Sequence, residues 1–441
     1  RWATHGVVSK TNAHPHVDCS EKIAVVHNGI IENFQALRDK LTEEGHTFVS
    51  QTDTEVIPHL VEKYYNGDLV SSVKRALQDI RGSYAFILML RGDTRLIVGR
   101  KESPLVIGLG DGENFIASDV PALLEYTDRF IYLEDGDLAV LSKEDLKITN
   151  GNGIAERKIR SVSWNYQDAQ KAGYPHFMLK EIHEQPRVIQ DTLYNYLSLE
   201  GNEIDLKLTR NTPVSNILFL SCGTSYHASL IGKTIIEKLT KIPSRVEIAS
   251  EFNYIDTALT NPLAIGITQS GETADTLKAL KKAKELGFRT MSITNVEDSS
   301  AYRLTDEKLL IKAGPEISVA ATKSFVAQLI ALYIFALSIA RMDNRSRDRI
   351  FGQLRSLPAK VQRMLSREEE IAKLAAYLSK FENMFYVGRG INYATVLEGA
   401  LKMKEISYIH AEAYPAGELK HGTFALLTED TPVVSIVARD N

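Results

Sequence analysis

Apolar positions follow two different patterns along this chain. Up to about residue 165 they form short strand-like runs, "IAVVHNG", "SYAFILML", "TRLIVGR", "NFIAS" and "RFIYLEDGDLAVL". Gly and Asp turns separate several of them, as in an antiparallel sheet. Two helical stretches interrupt, near 33–44 and 54–66. Residues 166–206 are polar and mostly helical, and read as a connector. From 216 short apolar strands recur near 216–221, 245–249, 263–268, 290–294 and 308–312, with helical patterns in most of the gaps. That alternation predicts a parallel sheet covered on both faces. The most apolar run, "FVAQLIALYIFALSIA" at 325–340, is shorter than the ~20 residues of a membrane helix and contains Gln328 and Ser338. It is expected to be a buried core or subunit-interface helix.

The second pattern contains a repeat. "NILFLSCGTSYHASLIG" from Asn216 and "NMFYVGRGINYATVLEG" from Asn383 share Asn216/Asn383, Gly223/Gly390, Tyr226/Tyr393, Leu230/Leu397 and Gly232/Gly399 at one fixed offset. Both copies read strand, glycine turn, helix, which argues for duplication.

Composition narrows the field modestly. The 441 residues suggest two or three domains, and 44% hydrophobic with 24% charged residues is ordinary for a globular protein. A net charge of -4 gives no reason to expect nucleic acid or a membrane surface as partner. Two cysteines, Cys19 and Cys222, are too few for a disulfide framework, so a reducing, cytoplasmic setting is expected. The chain starts with Arg1, shows no signal peptide, and ends in a strand-like segment, so both ends are expected to be cut. No metal cluster or cofactor motif is legible.

Chemistry concentrates where strands hand over to helices. After strand 263–268 comes "TQSGET", and after 216–221 comes "SCGTS". Ligands of open parallel sheets sit at the carboxyl ends of the strands, where the next helix presents unpaired N–H groups. Hydroxyls of Thr268, Ser270 and Thr273 add donors, and Gly271 lets backbone approach closely. Neither Walker-A spacing nor G-x-G-x-x-G is present, so a small sugar phosphate fits better than a nucleotide. The plainer alternative is helix capping, for which Ser and Thr are also preferred. Further on, "EGALKMKEI" spaces Glu398, Lys402 and Glu405 by four and three, placing them on one helix face. A surface ion-pair ladder would look the same. The following "HAEAYPAGELKHG" is loop-like and carries His410 and His421.

These motifs carry a resemblance. "CGTSYHASL", "TQSGETADTL", "ISVAATKSF" and "LEGALKMKEISYIHAEAYPAGELKHG" look like the two sugar-isomerase (SIS) domains of the glutamine–fructose-6-phosphate aminotransferase family, the glucosamine-6-phosphate synthases. "RWATHG", "NAHPH", "HNGIIEN" and "TDTEVI" resemble its glutaminase domain. The resemblance runs through the whole chain and implies an α+β and α/β protein in four parts. Residues 1–165 would be a type 2 glutamine amidotransferase domain of the N-terminal-nucleophile class, a truncated αββα sandwich. Residues 166–206 would be the connector, 207–346 the first SIS domain, and 372–441 a truncated second one.

The resemblance also implies roles. Asn28 and the N–H of Gly29 would form the oxyanion hole; Asn-Gly at a strand end suits this, because glycine permits a tight turn. Arg1 would bind the glutamine carboxylate and Asp53 its ammonium group, with Thr4 and His5 lining the pocket and Trp2 gating ammonia on its way between two sites. The nucleophilic cysteine would precede Arg1; Cys19 sits in a turn-like context and does not replace it. Without the resemblance, "HNG" could be a hairpin turn and Asp53 a helix cap. In the isomerase half, Glu405 would shuttle a proton between sugar carbons, Lys402 assist, and His421 open the ring. Thr224, Ser225, Thr268, Gln269, Ser270 and Thr273 would hold the phosphate, and backbone groups of Val319 and Ala320 the sugar hydroxyls. Thr268 and Ala321 stand where the family usually has Ser. The family's imine-forming lysine would follow Asn441, so this piece alone is expected to be inactive. A homodimer or larger homo-oligomer acting on L-glutamine and D-fructose 6-phosphate is implied, with no cofactor and no metal.

Two alternatives remain. A tandem-SIS deaminase or isomerase would leave residues 1–165 unexplained. A non-catalytic sugar-phosphate sensor would leave Lys402, Glu405 and His421 unexplained.

Overall fold

A computed structural model describes residues 5–143, 145–151, 153–162, 170–198, 203–206 and 214–437. The chain divides into two compact units, residues 1–166 and 167–441.

The first unit stacks two antiparallel sheets. The larger has seven strands in the order His16–Val17, Ile23–Ile31, Gly82–Leu90, Leu96–Lys101, Leu138–Leu141, Leu146–Asn150 and Gly153–Ile154. The smaller has four, Arg160–Ser161, Arg129–Tyr132, Val106–Leu109 and Asn114–Ala117. Side chains of both, among them Ala85, Val98, Ile107, Ile131 and Ala139, form the core between them. The other face of the larger sheet buries Val25, Phe86 and Leu88 against the helices Phe34–Glu43, Val56–Tyr64 and Leu69–Asp79. The described layers are therefore helix, sheet, sheet. The third helix was not expected, although Asp68 caps its start by accepting from Val70 N and Ser71 N. Another surprise is the run 129–141, which looks like one strand-rich stretch. Its two halves belong to different sheets, and Asp137, held by Arg157 Nη2 at 2.6 Å, anchors the crossing.

In the second unit a five-stranded parallel sheet runs in the order Ser244–Ile248, Ile217–Ser221, Leu263–Ile267, Arg289–Thr294, Glu307–Leu310. The chain order reverses between Ile217–Ser221 and Leu263–Ile267, so the switch-point crevice opens there. The helix Lys323–Ile339 is apolar nearly all round and buries Ile330, Ala331, Ile334 and Phe335, as a core helix should. Within the described residues no helix is long and apolar enough to cross a membrane.

The duplicated segment repeats this geometry. Strand Asn383–Gly388 lies between His410–Pro415 and Val433–Ser435, all parallel, matching the first three strands around Ile217–Ser221. Gly223 (φ 53°) and Gly390 (φ 56°) occupy the left-handed region at the two turns. The helices that follow, Gly223–Thr240 and Ile391–Ser407, both end on a left-handed residue, Lys241 and Tyr408, each at φ 61°. The stretch from His410, read above as a loop, is thus a strand as far as Pro415. Its Ala, Glu and Pro residues carry little strand preference, and pairing with Asn383–Gly388 decides its conformation.

The segment read as a connector carries the helix Phe177–Tyr194, which is integral to the second unit. Val188 and Ile189 are 1% exposed and pack in its core.

Candidate active sites

In the first unit the candidate residues gather along strand Ile23–Ile31. Buried positions alternate through Ile23, Val25 and His27, which puts Asn28 on the opposite face. There its Nδ2 donates to Ser118 Oγ at 3.0 Å. Asn28 and Gly29 lie inside the strand, paired with Ala85 and Tyr84, rather than at its end, and "HNG" is no hairpin turn. Gly29 has φ 129°, and a Cβ there would run into the Ser83 carbonyl oxygen. Only glycine fits. Asp53 is 3% exposed. Its Oδ2 accepts from Ile31 N at 2.8 Å, and Oδ1 lies 3.4 Å from His5 Nδ1. Its carboxylate does not cap the next helix, whose N-cap position is Glu55. A buried carboxylate at the end of the strand that carries Asn28 and Gly29 suits an ammonium ligand. Arg1, Trp2 and Thr4 lie outside the described residues.

In the second unit both hydroxyl-rich turns flank the switch point, and they differ. Thr268 is 2% exposed; its hydroxyl bonds to Thr273 Oγ1 at 2.8 Å and accepts from Gly271 N at 3.3 Å. Thr268 therefore helps shape the loop that its neighbours line. Gly271 (φ 72°) has no room for a Cβ, which would meet Ser299 Oγ. Gln269 and Ser270 remain partly exposed at the loop surface. Ser270 Oγ accepts from Glu272 N at 3.1 Å, and its own proton stays available. In the other turn Ser225 Oγ accepts from Gln328 Nε2 at 3.0 Å, a brace from the core helix.

Thr224 links the two copies of the repeat. Its Oγ1 donates to Glu398 Oε1 at 2.9 Å and accepts from Lys402 Nζ at 3.0 Å. Lys402 also pairs with Glu405 at 2.6 Å and Glu398 at 3.4 Å. His227 Nδ1 stands 2.7 Å from Glu398 Oε2. With Glu398 only 6% exposed, this is no surface ladder. A cation, two carboxylates, an imidazole and a hydroxyl thus converge beside the hydroxyl-rich turns, a set of groups capable of acid–base chemistry. Glu398 and His227 were missing from the expected site. The i,i+4 spacing of Glu398 and Lys402 was readable, whereas His227 carried no signal of its own.

The segment 314–322 is fixed by buried polar groups that sequence reading also missed. Glu181 accepts from Ile317 N at 2.6 Å and Ser318 N at 3.1 Å. Glu316 accepts from Thr322 N at 2.9 Å and Ser324 N at 3.2 Å, satisfying the first N–H groups of the core helix. Burial pushes the Glu316 carboxyl above its ordinary value, against the pull of Ser324 and Thr322. Lys323, fully buried, pairs with Glu184 at 2.6 Å. Of the residues expected to meet sugar hydroxyls, Val319 is 81% exposed while Ala320 is buried, and the Ala320 carbonyl already accepts from Ser318 Oγ at 3.0 Å. His421 lies on an exposed turn, and no hydrogen bond or ion pair described for it reaches Lys402 or Glu405.

Known proteins match both units. The glutamine amidotransferase domain family matches residues 2–125, and the SIS domain family matches 212–338 and 377–441. The "glutamine–fructose-6-phosphate aminotransferase [isomerizing]" of Caldanaerobacter subterraneus subsp. tengcongensis is 47% identical, over 100% of this chain and 74% of that protein. The protein of the same name from Aquifex aeolicus is 48% identical, again over 100% of this chain and 74% of its own length. Among solved structures, the C-terminal domain of the Francisella tularensis glucosamine-fructose-6-phosphate aminotransferase superposes with a TM-score of 0.60 at 43% identity, covering 62% of this chain and 78% of that one. The chain belongs to the glutamine–fructose-6-phosphate aminotransferase (isomerizing) family.

Proposed function

We propose that the complete protein converts D-fructose 6-phosphate and L-glutamine to D-glucosamine 6-phosphate and L-glutamate, with the residues above in the following roles. Glutamine hydrolysis in the first unit yields glutamate and ammonia. Asn28 Nδ2 and Gly29 N–H stabilise the oxyanion of the tetrahedral intermediate, and Asp53 holds the substrate ammonium, with His5 beside it. Arg1, Thr4 and Trp2 keep the roles that the family resemblance implies. In the second unit Thr224, Ser225, Thr268, Gln269, Ser270, Thr273 and the helix N-termini hold the phosphate. Glu405 moves the proton between the two sugar carbons. Lys402, held by Thr224 and Glu398, pairs with Glu405 and keeps it in place.

The observation carrying this reading is the Thr224–Glu398–Lys402–Glu405 network at the switch point, which joins a phosphate turn to an acid–base pair. A glutaminase domain on the same chain sets aside the stand-alone deaminase and isomerase readings. We also propose that 207–346 and 372–441 act as tandem domains, that the protein is cytoplasmic, and that it works as a homodimer or larger homo-oligomer. An exposed His421, unlinked to the cluster of its own chain, supports a role in a neighbouring subunit's site. The test is product formation by the complete protein: glucosamine 6-phosphate should appear only when fructose 6-phosphate and glutamine are both supplied. Turnover of the sugar phosphate with no nitrogen incorporated would overturn the proposal.

A further inference from the structure

The first unit holds a second cluster of chemistry-bearing side chains, away from Asn28 and Ser118. Cys19, His46, His59 and Glu62 each offer one ligand atom, and these atoms all lie within 4.8 Å of one another. Cys19 Sγ lies 3.6 Å from His46 Nδ1 and 3.5 Å from His59 Nδ1. Glu62 Oε2 lies 2.8 Å from His46 Nδ1 and 3.3 Å from His59 Nδ1. A zinc ion bound at about 2.3 Å from sulfur and about 2.0–2.1 Å from nitrogen and oxygen would separate tetrahedral S and N ligands by about 3.6 Å, and N and O ligands by about 3.3 Å. Three of the four separations fall on these values, and the fourth is shorter by half an ångström.

We propose that Cys19, His46, His59 and Glu62 bind a structural Zn²⁺ ion. The donor set of one thiolate, two imidazoles and one carboxylate is that of zinc; the hard cations Mg²⁺ and Ca²⁺ take oxygen ligands. Four protein ligands close the coordination sphere, so the role is to hold segments together rather than to activate water. Binding displaces the Cys19 thiol proton to solvent.

The surroundings are built to orient these ligands. The Asp18 carboxylate accepts from Lys22 N and Ile23 N, both at 2.7 Å, and so fixes the turn that presents Cys19. Thr47 N donates to Cys19 Sγ at 3.4 Å, and Cys19 N donates to Glu62 Oε2 at 3.3 Å. His59 is 1% exposed, lies tilted against the Phe48 ring with centroids 4.4 Å apart, and has its Nε2 3.8 Å from Glu55 Oε1, too far for a hydrogen bond but on the side where a carboxylate could orient a metal-bound histidine. His59 and Glu62 are one helical turn apart on Val56–Tyr64; Cys19, on the exposed side, leaves an entry path. The ion would tie together the turn after His16–Val17, the segment after Phe34–Glu43, and the helix Val56–Tyr64. The segment between His46 and His59 also carries Asp53. The inference rests on this geometry alone and is independent of the proposed function.

The complete protein, purified without chelator and dialysed, should contain one zinc ion per chain by mass spectrometry, and Cys19→Ser with His46→Gln should lose it. Replacing zinc by Co²⁺ in the wild type should produce a thiolate-to-cobalt charge-transfer band in the near ultraviolet and the intense visible bands of four-coordinate cobalt. The thermal midpoint should fall when a chelator strips the wild type and recover with added zinc. Metal content at background, a different metal in the four ligands, or a cobalt spectrum without a thiolate band would overturn the proposal and leave a hydrogen-bonded cluster. The cobalt spectrum is read on the wild type, so it decides the matter even where the variant does not fold.

Discussion

Glu405→Gln separates a base from a mere ion-pair partner. The Lys402–Glu405 pair is 2.6 Å long, with side chains 18% and 28% exposed. Glutamine keeps the shape and one acceptor but loses the charge. Lys402 would still have Glu398 at 3.4 Å and Thr224 at 3.0 Å, so it is not left as an uncompensated cation. Partly exposed pairs of this kind contribute about 0.2–1 kcal/mol, so the unfolding free energy should drop by no more than that. A placed acid–base group contributes at least about 10² in rate, which is about 2.7 kcal/mol of activation energy at 1.36 kcal/mol per decade. The two roles thus differ in size and in the quantity they change. The assay is deuterium exchange at C1 of fructose 6-phosphate from solvent with the complete protein, beside glutamine hydrolysis and urea unfolding. Exchange should fall at least about a hundredfold, while hydrolysis and the unfolding midpoint stay close to wild type. Wild-type exchange in the variant would refute Glu405 as the base, and parallel loss of exchange and stability would return it to a structural pair.

Other consequences are as direct. Asn28→Ala should cut glutamine hydrolysis by about 10²–10³, the cost of one oxyanion donor, and leave C1 exchange intact; equal loss of both activities would count against independent sites. Ser270→Ala should weaken fructose 6-phosphate binding measured by calorimetry, without touching glutamine binding, and unchanged affinity would return Ser270 to loop capping. Glu316 offers a pH test. Its folded pKa is raised above the ordinary 4.5, so its stabilising contribution is complete below that value and is lost as pH rises through the folded pKa. Denaturation midpoints of the wild type should therefore decline over that interval, and Glu316→Gln should flatten the decline; a steeper decline in the variant would contradict the assignment.

Much of this protein is legible without coordinates, because the interactions involved are local. Strand, glycine turn and helix follow from neighbours a few positions apart, so the parallel strands, both hydroxyl turns and the duplication could be read directly. Gly223 and Gly390 announce the same left-handed turn twice. The lapses inside this local grammar are instructive. Helix Leu69–Asp79 had a readable cap in Asp68, whereas His410–Pro415 has a weak strand composition and is a strand because Asn383–Gly388 offers it a parallel edge.

What only tertiary structure decided is which distant groups meet. Thr224 reaches Glu398 and Lys402 across 174 and 178 residues, because two duplicated helices pack together. Cys19 meets His46 and His59 across 27 and 40 residues, with no compact ligand spacing to betray it. Thr268, which reads like its hydroxyl neighbours, is 2% exposed and bonds to Thr273 and Gly271, partners that only the folded loop supplies. Periodicity reports which face of an element is apolar, but a hydroxyl or carboxylate contacts whatever the packing of other elements brings within about 3 Å, and that is settled only when the layers close.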